Sequence, residues 1–359
     1  MFVHLLILNY NGRPLLAECL PSVLAAAENS QHRCRVTVID NDSTDDSLAW
    51  LSEQFPQVSI IRQPNRGLCS LNDVVAGLAG SDGAVAMLLN NDIRLHRDCV
   101  DPLVAPLADD PVCFMTAPLC WLPDERTYEG FKTAVRWRFG LVQATALYPG
   151  HETSIRRPGL TASAGAAMAV DCRKFAELGG FDPLYLPGRL EDLDFAFRAY
   201  QAGYHARYVP AAVAYHHGMA TFGKVFGQAG CDRLALRNTL LFQWKNLRHP
   251  GHLARQLFGL PIRLIRDVCR APWVDGQRRW EFTRALIAAA ARIGHLHRST
   301  YRTKGTRQRE RQFFRQFAEK RGRESFSPQD SLSPTGIRRA LRHQDEKDSR
   351  PLFQERVCS

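Results

Sequence analysis

No stretch of this chain offers the roughly 20 uninterrupted apolar residues that a membrane span requires, and even the apolar run from Ala285 is bounded by Arg284 and Arg292. The opening MFVHLLILNYNG lacks a basic n-region and its apolar run stops at Leu8, so it reads as a buried strand and not as a secretion signal. A cytoplasmic location is expected. The ten cysteines include no C-x-x-C pair, which leaves a set of reduced, buried thiols as the reading in preference to zinc ligands or disulfides. Two phosphate-binding signatures are also missing. Without G-x-G-x-x-G after the first strand, or G-x-x-x-x-G-K-[ST] anywhere, neither a nicotinamide dehydrogenase nor a P-loop NTPase fits.

What is present is ample apolar material: 45% of 359 residues, enough for one large catalytic domain and an extension. Charge is uneven. Residues 248–323 hold 19 Lys and Arg against 5 Asp and Glu, an excess of +14 in a chain whose net charge is +11, so the remainder sums to −3. The expected division is therefore a domain over 1–246, a basic helical extension over 247–323 and a disordered tail, rich in Ser, Pro, Gln and charge, over 324–359. Within the extension Leu253, Leu257, Leu260, Leu264 and Ile265 recur at helical spacing between Arg255, Arg263 and Arg266. Such a helix is either a solvated face or a surface for anionic membrane, where each basic side chain contributes about 1 kcal/mol. Nucleic acid would also attract this charge, but no recognised reader module is present and none is expected to bind.

From residue 1 to about 110 strand-like and helix-like segments alternate: strands at Val3–Leu8, Arg35–Ile39, Val58–Arg62 and Val85–Leu89, helices at Pro14–Ala27, Ser47–Gln54 and Leu71–Ala79. This predicts an α/β fold, a mostly parallel central sheet with helices on both faces, whose ligands bind beyond the carboxyl ends of the strands. Each strand end carries polar residues: Asn9-Tyr10-Asn11, Asp40-Asn41-Asp42, Asn65 and Asn90-Asn91-Asp92. Residues 110–165 are less regular and read as an acceptor-side loop region. Further on, Glu191, Asp192 and Asp194 stand at the start of a helical segment with Leu193, Phe197 and Tyr200, and a strand-like Arg207–Tyr215 leads to His216-His217. Carboxylates in a first helical turn cap the helix in many proteins. Here, with Asp92 and His216 closing strands on the ligand edge, they also compose a metal and base constellation.

The ordered motifs N-Y-N-G (9–12), V-I-D-N-D-S-T-D (38–45), N-R-G (65–67), L-L-N-N-D (88–92), G-G-F-D (179–182), E-D-L-D (191–194) and Y-V-P-x-x-x-x-Y-H-H (208–217) resemble the family 2 glycosyltransferases, more narrowly their bacterial rhamnosyltransferase-like branch. The resemblance covers roughly residues 1–246. It implies a GT-A fold and inverting transfer of a sugar, rhamnose among the candidates, from a nucleotide diphosphate to a hydroxyl of a cell-surface glycan or lipid-linked acceptor. By the same resemblance Asp40 contacts the nucleotide base, with Asn9, Asp42, Asn65, Gly67, Asn72 and Asn91 on the nucleotide-sugar side. Asp92 and His216 bind a divalent metal, Mg or Mn, and Asp192, beside Glu191, is the general base. A lipid-linked acceptor would place the protein at the inner face of the cell membrane. Two departures stand out: the metal motif has a single carboxylate, and Asp42 occupies a position where the family often has Gly. A catalytically silent nucleotide- or glycan-binding protein of the same fold, and a basic nucleic-acid-binding protein, are the competing readings.

Overall fold

The structure is a computed structural model that describes residues 1–81, 83–218, 220–270, 273–274, 277–278, 280–298 and 305–318; the tail over 324–359 lies outside the described residues. The alternation read from the first ninety residues is observed: β1 (Phe2–Asn9), α1 (Arg13–Asn29), β2 (Arg33–Asp40), α2 (Ser47–Gln54), β3 (Ser59–Arg62), α3 (Leu71–Leu78) and β4 (Val85–Asn90). β1 lies between β2 and β4, and β3 pairs with β2, all in parallel. Interior parallel strands are covered on both sides, so they read as continuous apolar runs. Leu5, Leu6 and Ile7 of β1 and all of Val85–Leu89 in β4 are buried accordingly. The register sets Asn9 opposite Asp40, and Leu8 opposite Asn90, which brings the polar strand ends level along one edge.

The less regular region over 110–165 holds five strands between its loops. After β5 (Ile93–Leu95) and α4 (Val100–Asp109) come β6 (Cys113–Trp121), β7 (Tyr128–Gly130), β8 (Ala134–Arg138), β9 (Leu141–Thr145), the single turn α5 (His151–Ser154) and β10 (Gly159–Leu160). Then follow β11 (Ala167–Asp171), α6 (Cys172–Glu177), α7 (Glu191–Ala202) and β12 (His205–His216). β11 runs antiparallel to both β4 and β6, and β6 runs parallel to β12, giving the order β10-β12-β6-β11-β4-β1-β2-β3. Pro118 disguised β6, because a proline donates nothing to a ladder. It is accommodated opposite Val209, where pairing along β12 slips to Val213.

α8 (Ala220–Asn246) is broken at Gly227 and is followed by α9 (Pro250–Arg270), α10 (Glu281–Ala290), α11 (Ile293–Arg298) and α12 (Arg307–Gln316). A second core joins these helices to the first domain: Leu193 and Phe197 of α7, Leu240, Leu241 and Phe242 of α8, Phe282 and Ala289 of α10, and Phe313 and Phe314 of α12. No described helix is long and apolar enough to cross a membrane. The described cysteines are free and, apart from half-buried Cys34 and exposed Cys269, buried.

Candidate functional site

The carboxyl edge of the parallel strands is bound together by side chains. Asn9 donates through Nδ2 to Asp40 Oδ1 (3.1 Å) and to Ser43 Oγ (3.2 Å), and its Oδ1 accepts from Asn91 Nδ2 (2.9 Å). Asp40 also accepts from Ser43, through Oγ at 2.6 Å and through the backbone N–H at 2.9 Å. Asp40 is fully buried, so both its oxygens hold the 40–43 turn, and Ser43 is a site-building residue that the sequence did not mark out. Gly12 is required by this network: a Cβ there would stand 2.0 Å from Asn91 Nδ2 and 2.6 Å from Asn9 Oδ1.

The unusual Asp42 has a local account. Its φ is +62°, a left-handed conformation that glycine adopts freely and that Asp tolerates better than most residues. Its carboxylate faces Arg62 at 2.9 Å in an exposed pair, so its charge is met by a basic neighbour. Asn65 accepts through Oδ1 from the Gly67 N–H (3.1 Å), and Gly67, at φ +53°, passes its carbonyl to Asn41 Nδ2 (3.2 Å). Asn72 turns elsewhere: both ends of its amide hold the Phe181 backbone (2.9 and 2.8 Å), making it an anchor of the 179–182 loop.

Asp92 and His216 meet because β5, directly after Asp92, pairs antiparallel with the end of β12, with Ile93 opposite His216. His216 Nε2 lies 3.2 Å from Asp92 Oδ1, and Nδ1 is bonded to Glu129 Oε1 at 2.8 Å. Glu129 sits in the region read as an acceptor loop, and no motif announced it. Burial alone would favour a neutral imidazole, but hydrogen bonds and charge from Asp92 and Glu129 outweigh it and raise His216 to about 10. The adjacent His217 turns away to Glu18 (2.7 Å).

An ion held by this pair would have to displace the proton that the two carboxylates keep on His216, because a metal binds only the neutral imidazole. Asp92 Oδ1 is buried, with His216 Nε2 beside it at 3.2 Å. A carboxylate behind the far nitrogen of a histidine is the arrangement that orients imidazole ligands. Among the described residues, no group of three or more His, Cys, Asp or Glu could hold an ion. An ion here would therefore need oxygens from a diphosphate, as Mg²⁺ characteristically does.

The three carboxylates of the E-D-L-D segment have three different surroundings. Asp192 Oδ2 accepts from the Gly165 N–H (3.1 Å) and so does not cap its own helix. Gly165, at φ +75°, lies against the Phe131 ring, where a Cβ would meet Cε1 at 2.3 Å. Phe131 in turn stands 6.3 Å, centroid to centroid, from the His216 ring, which joins the Asp192 wall to the Asp92–His216 wall. Among the described residues buried Glu191 Oε2 has no hydrogen-bond partner, and its carboxyl is pushed up to about 8, by burial first and then by Asp192. Asp194 is fully buried and structural. It accepts from Tyr185 Oη (2.8 Å), Arg198 Nε (2.8 Å), Lys245 Nζ (2.8 Å) and Asn246 Nδ2 (2.8 Å), and Lys245 also reaches Asp182 at 2.6 Å.

Residues 5–161 match the family model described as Glycosyl transferase family 2. Among curated relatives, an N-acetylglucosaminyl-diphospho-decaprenol L-rhamnosyltransferase of Mycobacterium tuberculosis is 25% identical over 60% of this chain and 76% of its own. A putative polypeptide N-acetylgalactosaminyltransferase of Drosophila melanogaster is 24% identical over 51% of this chain, which spans 31% of that longer relative. Among solved structures, GalNAc-T7, determined with UDP, GalNAc and Mn²⁺, superposes with a TM-score of 0.54 at 19% identity, covering 82% of this chain and 57% of that one; the likeness is one of fold.

Proposed function

Since this chain belongs to the family 2 glycosyltransferases, with a GT-A fold, we propose that it catalyses metal-dependent, inverting transfer of a sugar from a nucleotide diphosphate to a hydroxyl of a cell-surface glycan or lipid-linked acceptor, at the anionic inner face of the membrane. The observation that carries this reading is the joining of two walls through Gly165 and Phe131: Asp192 on one, the Asp92–His216 pair on the other. The nucleotide lies along the edge formed by Asn9, Asn41, Gly67 and Asn91. Asp92 and His216 would hold a divalent ion, which supplies charge stabilisation for the departing diphosphate. The acceptor oxygen attacks the anomeric carbon, its proton passes to the Asp192 carboxylate, and the bond to the diphosphate breaks with its electron pair. Gly165 N–H fixes the direction of Asp192, and geometry within hydrogen-bond reach is the first demand on a general base.

The mycobacterial relative's name supports a lipid-linked acceptor and a rhamnosyl donor for this chain. The test is a screen of nucleotide sugars with and without Mn²⁺, followed by Asp192→Asn on the best donor. Loss of the base should lower kcat by about 10²–10⁴-fold with donor affinity little changed. Near-normal turnover removes Asp192 from the mechanism, whereas donor binding without turnover in the parent protein establishes a silent binding protein.

A further inference from the structure

α9 is turned inside out relative to an ordinary surface helix. A helix on a globular protein buries its apolar stripe and shows its polar side to water. In α9 the inward side carries the polar groups. His252 bonds Glu310 Oε1 (2.6 Å), Arg263 donates to the Arg138 and Phe139 carbonyls (2.9 and 3.1 Å), and Asp267 accepts from the N–H and hydroxyl of Thr283 (both 2.8 Å). Gly259 meets Gly140 backbone to backbone, so closely that a Cβ would stand 2.3 Å from the Gly140 Cα. The helix is thus fastened to the β8–β9 hairpin by its polar side.

The outward side is apolar. Leu253, Leu257, Phe258, Ile262, Ile265 and Val268 recur at steps of one, three and four, the spacing of one broad helix face. Leu257 is 69% exposed, Phe258 72%, Ile265 62% and Val268 53%. Of the leucines picked out by periodicity, Leu260 and Leu264 pack inward and the others belong to this face. Beside it stand the exposed guanidiniums of Arg255 and Arg266, the latter 4.6 Å over the Phe139 ring at the hairpin tip, while the one acid of the helix, Asp267, is turned inward.

We propose that the outward face of α9, together with the Phe139 tip, is a docking surface for an anionic lipid bilayer, the helix lying in the interface with Leu257, Phe258, Ile262 and Ile265 among the acyl chains and Arg255 and Arg266 at the phosphates. An apolar face rimmed by positive charge is complementary to that occupant, since interfacial helices combine buried apolar area with attraction to anionic lipid. The proposal deepens the transfer reading by naming the surface on which a lipid-linked acceptor is met, but vesicle binding needs neither donor nor acceptor, so the two fail separately.

The experiment is co-sedimentation of the full chain with phosphatidylglycerol-containing and pure phosphatidylcholine vesicles, alongside the variant Leu257→Asn/Phe258→Asn/Ile265→Asn. These positions are exposed, and an unchanged melting temperature verifies that the variant folds. The parent should favour anionic vesicles, the variant should lose binding by at least about tenfold, and raising salt from about 0.02 to about 0.5 M should weaken but not abolish parental binding. Parental protein that ignores anionic vesicles overturns the proposal, as does a folded variant that binds equally well. Light scattering supplies the third outcome: a parental dimer that the variant dissociates would make this face a contact between two copies.

Discussion

Glu191, Asp192 and Asp194 show how neighbours in sequence take unrelated roles once a helix turns each successive side chain by about 100°. Asp194 points into the protein, where it is held by two cations and two neutral donors. Removing one partner of such a buried pair leaves an uncompensated charge. Asp194→Ala should therefore cost about 3–5 kcal/mol in denaturant unfolding, with lost folding rather than an altered donor affinity as its signature. Glu191 predicts a pH effect. Its carboxyl is raised from 4.5 to about 8, by burial and then by Asp192, so the folded chain keeps a proton that the unfolded chain has released. Its contribution to stability is complete below pH 4.5 and declines as pH rises toward 8. Glu191→Gln has no proton to lose, so its melting temperature relative to the parent should climb between about pH 5 and about pH 8.5. A constant difference would place Glu191 in water instead. The E-D-L-D segment stood out in the sequence, but the different surroundings of its three carboxylates did not, because two of the four partners of Asp194, Lys245 and Asn246, lie some fifty residues away on α8.

At the scale of elements, the turn entering α7 is under strain and is held from outside. Arg189 (φ +83°) and Leu190 (φ +70°) are left-handed in succession, a conformation that costs non-glycine residues of the order of 1–3 kcal/mol each. Asn238 on α8 donates to the carbonyls of Tyr185, Gly188 and Arg189, each at 2.8 Å. Arg237 reaches Leu186 O (2.6 Å), and Arg292 reaches Leu184 O and Leu186 O (3.0 and 3.1 Å). On the proposed mechanism Asn238 is thus a positioning residue for Asp192. Asn238→Ala should lower stability by about 1–3 kcal/mol. Measured on the folded fraction, it should reduce kcat by about tenfold while leaving donor KM nearly unchanged, because the base and not the nucleotide edge is displaced. An unchanged kcat would confine Asn238 to stability. None of this was visible in the motifs, since a buried asparagine on a helix carries no signature until the carbonyls it meets are known. Elements with regular apolar periods were read well: α2 was placed residue for residue. β6 was missed for its proline, although the apolar run around Pro118 is a buried strand.

At the scale of the molecule, the basic region has two characters. α9 shows its apolar side outward, whereas α10 and α12 are built into the catalytic half: Phe313 packs 5.0 Å from Phe197 and 5.3 Å from Tyr200, ring to ring, on the helix that carries Asp192. Glu310 of α12 also accepts from the Arg248 and His249 backbone (2.8 and 3.0 Å) at the start of α9. Truncation after Asn246 would strip Phe282, Phe313 and Phe314 from that shared core, and large cavities at aromatic sites cost about 3–5 kcal/mol apiece. The fragment 1–246 should lose its cooperative thermal transition. A fragment that melts cooperatively and binds nucleotide sugar would establish that the catalytic half folds alone.

The sequence by itself determined the alternating first half and the polar residues at its strand ends, because strand and helix periods and strand-end chemistry are local properties of the chain. Only the tertiary structure decided that Glu129 backs His216, that Asn72 anchors a loop, that Asp194 is structural and that the basic helices divide between core and surface. Those outcomes depend on which distant atoms share a desolvated space. A buried carboxylate takes its role from the donors around it, and a helix takes its exposed side from whatever packs on the other, so neither is written in the spacing of the residues.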